Sequence, residues 1–285
     1  MQKVKMGGEK KTLRIFIEDN NDITDSLLSL QQGGRKLDLG LKDLIYEKYH
    51  GLFNIEIIRE SIGRSDLMIQ QLGVVPEELL QHKLDDENII TAQFNPRLFE
   101  EQVDVVVFSL QPEITHSLWR HRQKDYLFYP HPDWKKRWTP LQKQWFREYF
   151  IPIGLIQVQQ FKENFVRLIR AIKERLNAHI IVYNCSSVDL EDQTYNYYKL
   201  QNDVLSLRIH KFNFALIEIS TSEGISIIDV DRLIAELGGE RHVMKRLSYS
   251  KEACHAICQE FQKVIEDIGF FENRPLLMQI GQRGD

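Results

Sequence analysis

The run Val103-Asp-Val-Val-Val-Phe108 decides the fold. It is short, mostly apolar and rich in β-branched side chains, as is typical of a strand buried on both faces of a sheet. Four similar runs, separated by longer segments, lie at 13–18, 55–58, 179–183 and 225–230. Strands that alternate with helices predict a parallel sheet covered on both faces, so we expect a three-layer α/β/α sandwich with a central five-stranded parallel sheet.

The segments between these strands carry helical periodicity. We predict helices over 27–44 (with a break at Gly33-Gly34), 67–72, 161–176, 195–220 and 251–268. Ser250 and Asp231 directly precede apolar helical segments, and we predict that both are N-caps. Cys254 and Cys258 are four residues apart, so they share one helix face, where we expect them to be small core residues.

The composition restricts the class of protein. The chain has 285 residues, with 37 Lys and Arg against 41 Asp and Glu and a net charge of −4. This balance gives no general attraction to nucleic acid or to anionic membranes. Three cysteines do not make a disulfide framework, and no run reaches the length of a membrane span or a signal sequence. We therefore expect one cytoplasmic domain over 1–285, with a flexible 1–12 and no nucleic-acid or membrane partner.

The segment Thr115–Pro152 breaks the alternation of strands and helices. It contains ten aromatic residues, including all four tryptophans, among several Arg and Lys residues. Three interpretations stay open: the rings pack on the body, they form a lid over a site, or residues 115–150 form an interface with a protein partner. On the lid interpretation Arg120 and Arg122 would bind an anionic group of the ligand.

Ligands of parallel α/β sheets bind beyond the carboxyl ends of the strands. The loops at those ends are Asp19–Thr24, Ser61–Asp66, Ser109–Thr115, Asn184–Val188 and Asp229–Arg232. His116, His121 and His131 are spaced too widely for a compact metal motif, and we expect neither a metal nor another cofactor. Arg64 opposes the dipole of the helix that follows it, which an anionic ligand or the nearby Asp66 would explain.

The order of these loops resembles that of the SGNH/GDSL hydrolases, which have a flavodoxin-like sandwich. In Ile17-Glu-Asp-Asn-Asn-Asp-Ile-Thr24 the family's nucleophilic serine falls on Asn20, after Asp19. Gly63 stands at the oxyanion-hole glycine and Gln111 or Pro112 at the family's asparagine. The family's Asp and His fall near Lys245 and Ser248. The resemblance implies the fold and a ligand site, while the missing triad predicts no ordinary serine hydrolysis.

A second resemblance concerns the later half of the chain. Asn213-Phe-Ala-Leu, Gly224-Ile-Ser-Ile-Ile-Asp-Val-Asp-Arg-Leu-Ile and Leu237-Gly-Gly are similar to the SGNH-like half of glyceryl-transferring enzymes of polyketide pathways. Asp229-Val-Asp231 also suggests the nucleophile motif of HAD phosphatases, but Leu233 replaces the hydroxyl residue that this motif requires. The resemblance implies a biosynthetic role with a substrate that is a small molecule or is linked to a carrier protein.

Three functional hypotheses follow. The first is a degenerate SGNH protein that binds an acyl-, glycosyl- or carrier-protein-linked ligand around Asp19, Asn20, Gly63, Arg64 and Gln111. The second is an active esterase or acyltransferase with a relocated nucleophile and base. Its candidate residues are Ser65, Ser26, His242 and His116. The third is a non-catalytic partner subunit, which would need the aromatic residues of the insertion to form an exposed patch.

Overall fold

The computed structural model describes residues 11–29, 31–32, 35–36, 39–61, 63–70, 73–188, 204–245 and 247–272. The strands are β1 (Lys11–Glu18), β2 (Gln31–Gln32), β3 (Arg35–Lys36), β4 (Phe53–Glu60), β5 (Val105–Ser109), β6 (Leu118–His121), β7 (Leu127–Phe128), β8 (Phe150–Gly154), β9 (His179–Tyr183), β10 (Ser226–Ile228), β11 (Val243–Lys245) and β12 (Ser248–Tyr249). The helices are α1 (Asn21–Leu27), α2 (Leu41–Lys48), α3 (Ser65–Gln70), α4 (Glu77–Gln81), α5 (Glu87–Phe94), α6 (Gln111–Thr115), α7 (Pro132–Arg137), α8 (Pro140–Tyr149), α9 (Val158–Arg175), α10 (Leu205–Glu223), α11 (Val230–Leu237) and α12 (Lys251–Asp267).

The predicted central sheet is confirmed. Its five strands lie in the order β10-β9-β5-β1-β4, and every neighbouring pair is parallel. The last strand ends at Ile228 and not at Val230, because Asp229 caps the next helix. Lys11 and Thr12 belong to β1, which corrects the prediction of a flexible 1–12, while residues 1–10 lie outside the described part of the chain.

Helices cover both faces of the sheet because successive side chains of a strand point to opposite sides. Ile15 and Ile17 pack in one apolar cluster with residues of α1, α2 and α12. Phe16, between them, packs in a second cluster with α3, α9 and α10. The predicted helices over 161–176 and 251–268 are confirmed as α9 and α12, and α10 covers the described part of the prediction over 195–220.

The prediction of helix over 27–44, with a break at Gly33-Gly34, is wrong for most of this segment. Helix α1 ends at Leu27, the short antiparallel pair β2 and β3 follows, and α2 begins only at Leu41. A side chain at Gly40 would meet the backbone of Leu27 to Ser29 at 2.5–2.6 Å, so the chain returns to the end of α1 at a position that only glycine can occupy. This long-range contact overrides the local periodicity.

The insertion over 115–152 forms a subdomain. Strands β7, β6 and β8 make an antiparallel sheet in that order, and α7 and α8 pack beside it. Eight of its ten aromatic residues, all except Tyr129 and Trp134, belong to or pack against an apolar cluster with Leu79, Leu84, Ile90 and Phe94, which precede β5. Each of the ten aromatic side chains is buried or half-buried. The described structure therefore has no exposed aromatic patch of the kind that the partner-subunit hypothesis requires.

Two N-cap predictions have different outcomes. The Ser250 hydroxyl accepts a hydrogen bond from the Ala253 amide and caps α12 as predicted. The prediction of Asp231 as a cap is wrong, because the Asp229 side chain accepts from the Arg232 amide and Asp231 instead accepts from Ser187. Cys254 and Cys258 are buried core residues on α12, as predicted. No helix in the described part of the chain is long and apolar enough to cross a membrane.

Candidate functional site

A cavity of about 280 Å³ lies where the carboxyl ends of β1, β4 and β5 meet the insertion. We call it the strand-end cavity. Its walls are Asp19, Asn20, Asn21, Ser61, Gly63, Leu67, Ile89, Gln93, Gln111, His116, Tyr129, His131 and Trp134. A larger cleft of about 480 Å³, walled by α1 and the first turn of α12, shares none of these residues. The strand-end cavity is the one that the parallel sheet predicts as a ligand site.

Asn20 stands at the cavity between β1 and the first turn of α1. Its backbone is extended, with φ −109° and ψ 152°, and its carbonyl accepts from the amide and hydroxyl of Thr24. Its side-chain Nδ2 is buried and makes no hydrogen bond of normal geometry within the described structure, although the amide lies beside the Glu18 carboxyl group and opposes the rise in that group's pKa. A buried donor without a partner costs about 1–3 kcal/mol, so a ligand that satisfies it would recover part of that cost.

Gly63 keeps the centre of the cavity open. A Cβ atom at this position would lie 3.0 Å from Leu67 Cδ1 and 3.8 Å from His116 Nδ1. Gly63 is not among the glycines with positive φ, so its importance lies in the space it leaves and not in its backbone conformation. The resemblance made Gly63 a candidate oxyanion-hole residue, and the structure places it at the cavity between Leu67 and His116.

His116 brings a second polar atom without a partner to the cavity. Its ring stacks on Tyr129, with ring centres 3.9 Å apart and planes 11° apart, and its buried Nδ1 makes no hydrogen bond with a described residue. Burial, followed by the charges of Arg64 and His131, lowers the pKa of His116 to about 3. The ring is therefore neutral near pH 7, with one nitrogen that donates and one that accepts.

Gln93 holds Tyr129 in this position. The Tyr129 amide donates to Gln93 Oε1 at 2.8 Å, and Gln93 Nε2 donates to the Tyr129 carbonyl at 3.2 Å. Gln70 holds the backbone of Leu127 in the same way, so two glutamine side chains take the place of a neighbouring strand beside β7. Sequence analysis missed both residues, because a polar residue on a helix carries no local sign of a partner that is distant in the sequence.

Two buried arginines close the base of the insertion. Arg64 donates to the carbonyls of His116 and Gly154 and pairs with Asp66 at 2.5 Å. Arg208 donates to the carbonyls of Glu113, Ile114 and Ile156. The prediction that Arg64 binds an anionic ligand is corrected, because its guanidinium is 2% exposed, is paired with Asp66 and is not part of the cavity wall.

The other two predicted cations also lie away from the cavity. Arg120 forms a loose ion pair with Asp125 at 3.5 Å and lines a separate groove, while Arg122 is exposed on the turn after β6. No Lys or Arg is among the described residues that wall the strand-end cavity. The insertion does contribute His116, Tyr129, His131 and Trp134, so it supplies rings and imidazoles there but not the predicted Arg and Lys head groups.

Three buried carboxyl groups lie at this end of the sheet. Glu18 Oε2 accepts from the Ser109 amide, and burial raises its pKa well above the ordinary value. Asp22 accepts from the Ser109 hydroxyl at 2.6 Å, and burial raises its pKa to about 7. Burial and then the charge of Asp66 raise the pKa of Glu113 to about 7. Sequence analysis missed these acids as a group, since Ser109, which bonds to Glu18 and Asp22, lies 91 and 87 residues further along the chain.

The candidate nucleophiles are not paired with a base. Ser65 is fully buried, and its amide donates to Glu113, while the buried Ser26 hydroxyl donates to the Asp22 carbonyl. Neither hydroxyl bonds to an imidazole in the described structure. His242 Nε2 accepts a hydrogen bond from Arg241, so the ring proton is on Nδ1, which donates to the Ser250 hydroxyl. A nitrogen that donates to a serine cannot take the proton of that serine, so His242 is not a base for Ser250.

The described wall of the cavity therefore offers groups that can bind a ligand, but no serine or cysteine that is hydrogen-bonded to a base. The Ser61 hydroxyl lies in its wall but makes no hydrogen bond with another described residue. Gln111 is also in the wall, and its Nε2 donates to the Leu247 carbonyl. Asp19 is paired with Arg59 at 2.7 Å. Among the described residues, no group of three or more His, Cys, Asp or Glu side chains is arranged to hold a metal ion.

Comparisons with solved structures found proteins of the class that the loop order resembles. A putative GDSL-like lipase from Parabacteroides merdae has a TM-score of 0.46 and 12% identity, covering 91% of this chain and 98% of that one. Axe2, an acetylxylan esterase from Geobacillus stearothermophilus, has a TM-score of 0.46 and 12% identity, and the match covers 94% of this chain and 99% of that one. A GDSL-family lipolytic protein from Veillonella parvula has a TM-score of 0.45 and 11% identity, and the match covers 90% of this chain and 98% of that one.

These likenesses concern the fold, and no activity is carried over from them. No protein-family model matches the chain, and no curated protein matches it.

Proposed function

We propose that this protein binds a small neutral ligand rich in hydroxyl groups, such as a glycosyl unit, in the strand-end cavity. The observation that carries the proposal is that two buried polar atoms of the cavity wall, Asn20 Nδ2 and His116 Nδ1, have no hydrogen-bond partner in the described structure. A hydroxyl group both donates and accepts, so it satisfies the asparagine donor and either tautomer of the neutral histidine.

The walls favour a sugar over the other ligands that the sequence leaves open. The rings of Tyr129 and Trp134 provide apolar faces, while the polar wall is made mostly of amide and hydroxyl side chains. A long acyl chain would need a more apolar channel. A carrier-linked phosphopantetheine would need a cation for its phosphate, and no described wall residue is Lys or Arg. The volume of about 280 Å³ lies at the lower end for ligand pockets and suits one ring.

We further propose that the protein does not hydrolyse esters through a serine. A serine nucleophile needs a base within hydrogen-bond reach, and His116 has no such partner at Nδ1. The amide of Asn20, at the family's nucleophile position, cannot replace it. The likeness to glyceryl-transferring enzymes makes a place in a biosynthetic pathway consistent with this proposal, with the bound unit presented and not cleaved.

The test is a titration of the protein with each of a panel of methyl glycosides, in which isothermal calorimetry measures the affinity. We expect Trp134→Leu and Asn20→Leu to weaken binding of the best ligand by about tenfold or more. Trp145→Leu is the matched control, because Trp145 stacks on His82 and is not in the cavity wall. Equal affinity in Trp134→Leu and Trp145→Leu, or no binding of any glycoside, would contradict the proposal.

A further inference from the structure

We propose that a groove beside the base of the insertion is a docking surface for an acidic, apolar peptide segment of a partner protein. This groove, which we call the stem groove, has a volume of about 540 Å³ and lies between α3, the three-stranded sheet and α9. It shares no wall residue with the strand-end cavity, so its test is independent of sugar binding.

The apolar part of the groove is accessible. Ile153 and Leu155, at the end of the edge strand β8, are 36% and 44% exposed and both line the groove. Ile69 and Leu127 are half-buried in the same wall. Large apolar side chains exposed next to a concave surface, and not scattered singly, are typical of protein-binding sites.

The charge of the groove is opposite to that of the whole chain. The net charge of the protein is −4, but the only carboxylate in the described wall of the groove, Asp66, is bound to the buried Arg64 at 2.5 Å. Arg120 is 47% exposed, and its ion pair among the described residues is the loose contact with Asp125, which is itself 83% exposed. Arg167 is exposed and makes no ion pair with a described residue. Two cations are therefore available beside an apolar surface.

An acidic segment with large apolar side chains is the occupant that fits this combination. Its apolar side chains would cover Ile153 and Leu155, and its carboxylates would pair with Arg120 and Arg167. Opposite charges at the rim of an interface mainly direct the partner and set its register, while the apolar contacts supply most of the affinity. A concave groove with two cations suits a peptide better than the surface of a membrane.

The experiment uses the full chain and a phage-displayed library of short random peptides. Selected peptides are synthesised with a fluorescent label and titrated by fluorescence anisotropy against the variants Arg167→Glu and Leu155→Ser. Arg122→Glu and Leu141→Ser are the matched controls, because both residues are exposed and lie outside the groove. Circular dichroism of every variant verifies the fold.

We expect selection to enrich peptides that combine Asp or Glu with Leu, Ile or Phe. Their affinity should fall by about tenfold or more in Arg167→Glu and Leu155→Ser and stay within about twofold in the controls. Peptides that bind Arg167→Glu and Arg122→Glu equally would overturn the proposal, as would a selection without acidic apolar sequences. Binding of the protein to anionic vesicles that is lost in Arg167→Glu, without peptide binding, would replace the peptide by a membrane and also overturn it.

Discussion

Asp22 should make the stability of the folded protein fall as the pH rises through the neutral range. Its carboxyl group is buried beside Ser109, and burial raises its pKa from 3.8 to about 7. Because the folded state binds this proton more tightly than the unfolded state, its contribution to stability is fully present at low pH. This contribution begins to be lost as the pH rises above the pKa of Asp22 in the unfolded state, near 4. The loss is complete above the pKa of Asp22 in the folded state.

The size of this effect follows from the shift. About three pH units at about 1.4 kcal/mol each give a loss of about 4 kcal/mol between about pH 4 and pH 8. Asp22→Asn removes the titrating group, so the difference in unfolding free energy between the natural protein and the variant should change by this amount over the range. Urea unfolding, followed by tryptophan fluorescence at several pH values, measures it.

Asp125→Asn is the control, because it makes the same chemical change at a carboxylate that is 83% exposed. Burial also raises the pKa of Glu18 and Glu113, so these two groups add to the loss of stability as the pH rises. The test therefore uses the difference in unfolding free energy between the natural protein and Asp22→Asn at each pH, and not the total change with pH of either protein. If the natural protein and Asp22→Asn lose stability in parallel from pH 4 to pH 8, Asp22 ionises as readily when folded as when unfolded, and the reasoning is refuted.

Three further outcomes are expected. Gly63→Val should abolish sugar binding in calorimetry and lower the unfolding free energy by about 1–3 kcal/mol, because the added side chain enters the cavity and must displace the Leu67 side chain; intact binding by the folded variant would contradict this. Gln93→Leu should lower the unfolding free energy by about 1–3 kcal/mol and weaken sugar binding, since the Tyr129 backbone loses both of its partners. Serine-directed phosphonates should label no residue in mass spectrometry, and stoichiometric labelling at Ser61 or another serine would favour the esterase hypothesis.

The sequence predicted the sheet well because its strands are recognisable locally. Val105–Ser109 and His179–Tyr183 are short apolar runs bounded by polar residues, and burial on both faces requires that pattern. The segment over 27–44 was mispredicted because its path depends on the contact between Gly40 and Leu27, which leaves no trace in the periodicity. The order of the loops also located the cavity at Asn20 and Gly63.

The site was less predictable than the sheet, because its side chains are defined by partners far away in the sequence. Arg64 was read as a ligand-binding cation, but it bonds to carbonyls 52 and 90 residues further along the chain. Arg120 and Arg122 were grouped with the aromatic residues by position, yet the hairpin of β6 and β7 carries them away from the cavity. No local pattern shows which face of an irregular insertion a charge will occupy.

The most direct test of the central claim is a crystal structure of the protein with the best-binding methyl glycoside. The account predicts one sugar ring in the strand-end cavity, against Trp134 or Tyr129. Its hydroxyl groups should lie within hydrogen-bond distance of Asn20 Nδ2 and His116 Nδ1, two buried atoms of the cavity wall that have no hydrogen-bond partner in the described structure. A cavity that holds only ordered water bonded to those two atoms, with the sugar bound elsewhere, would contradict it.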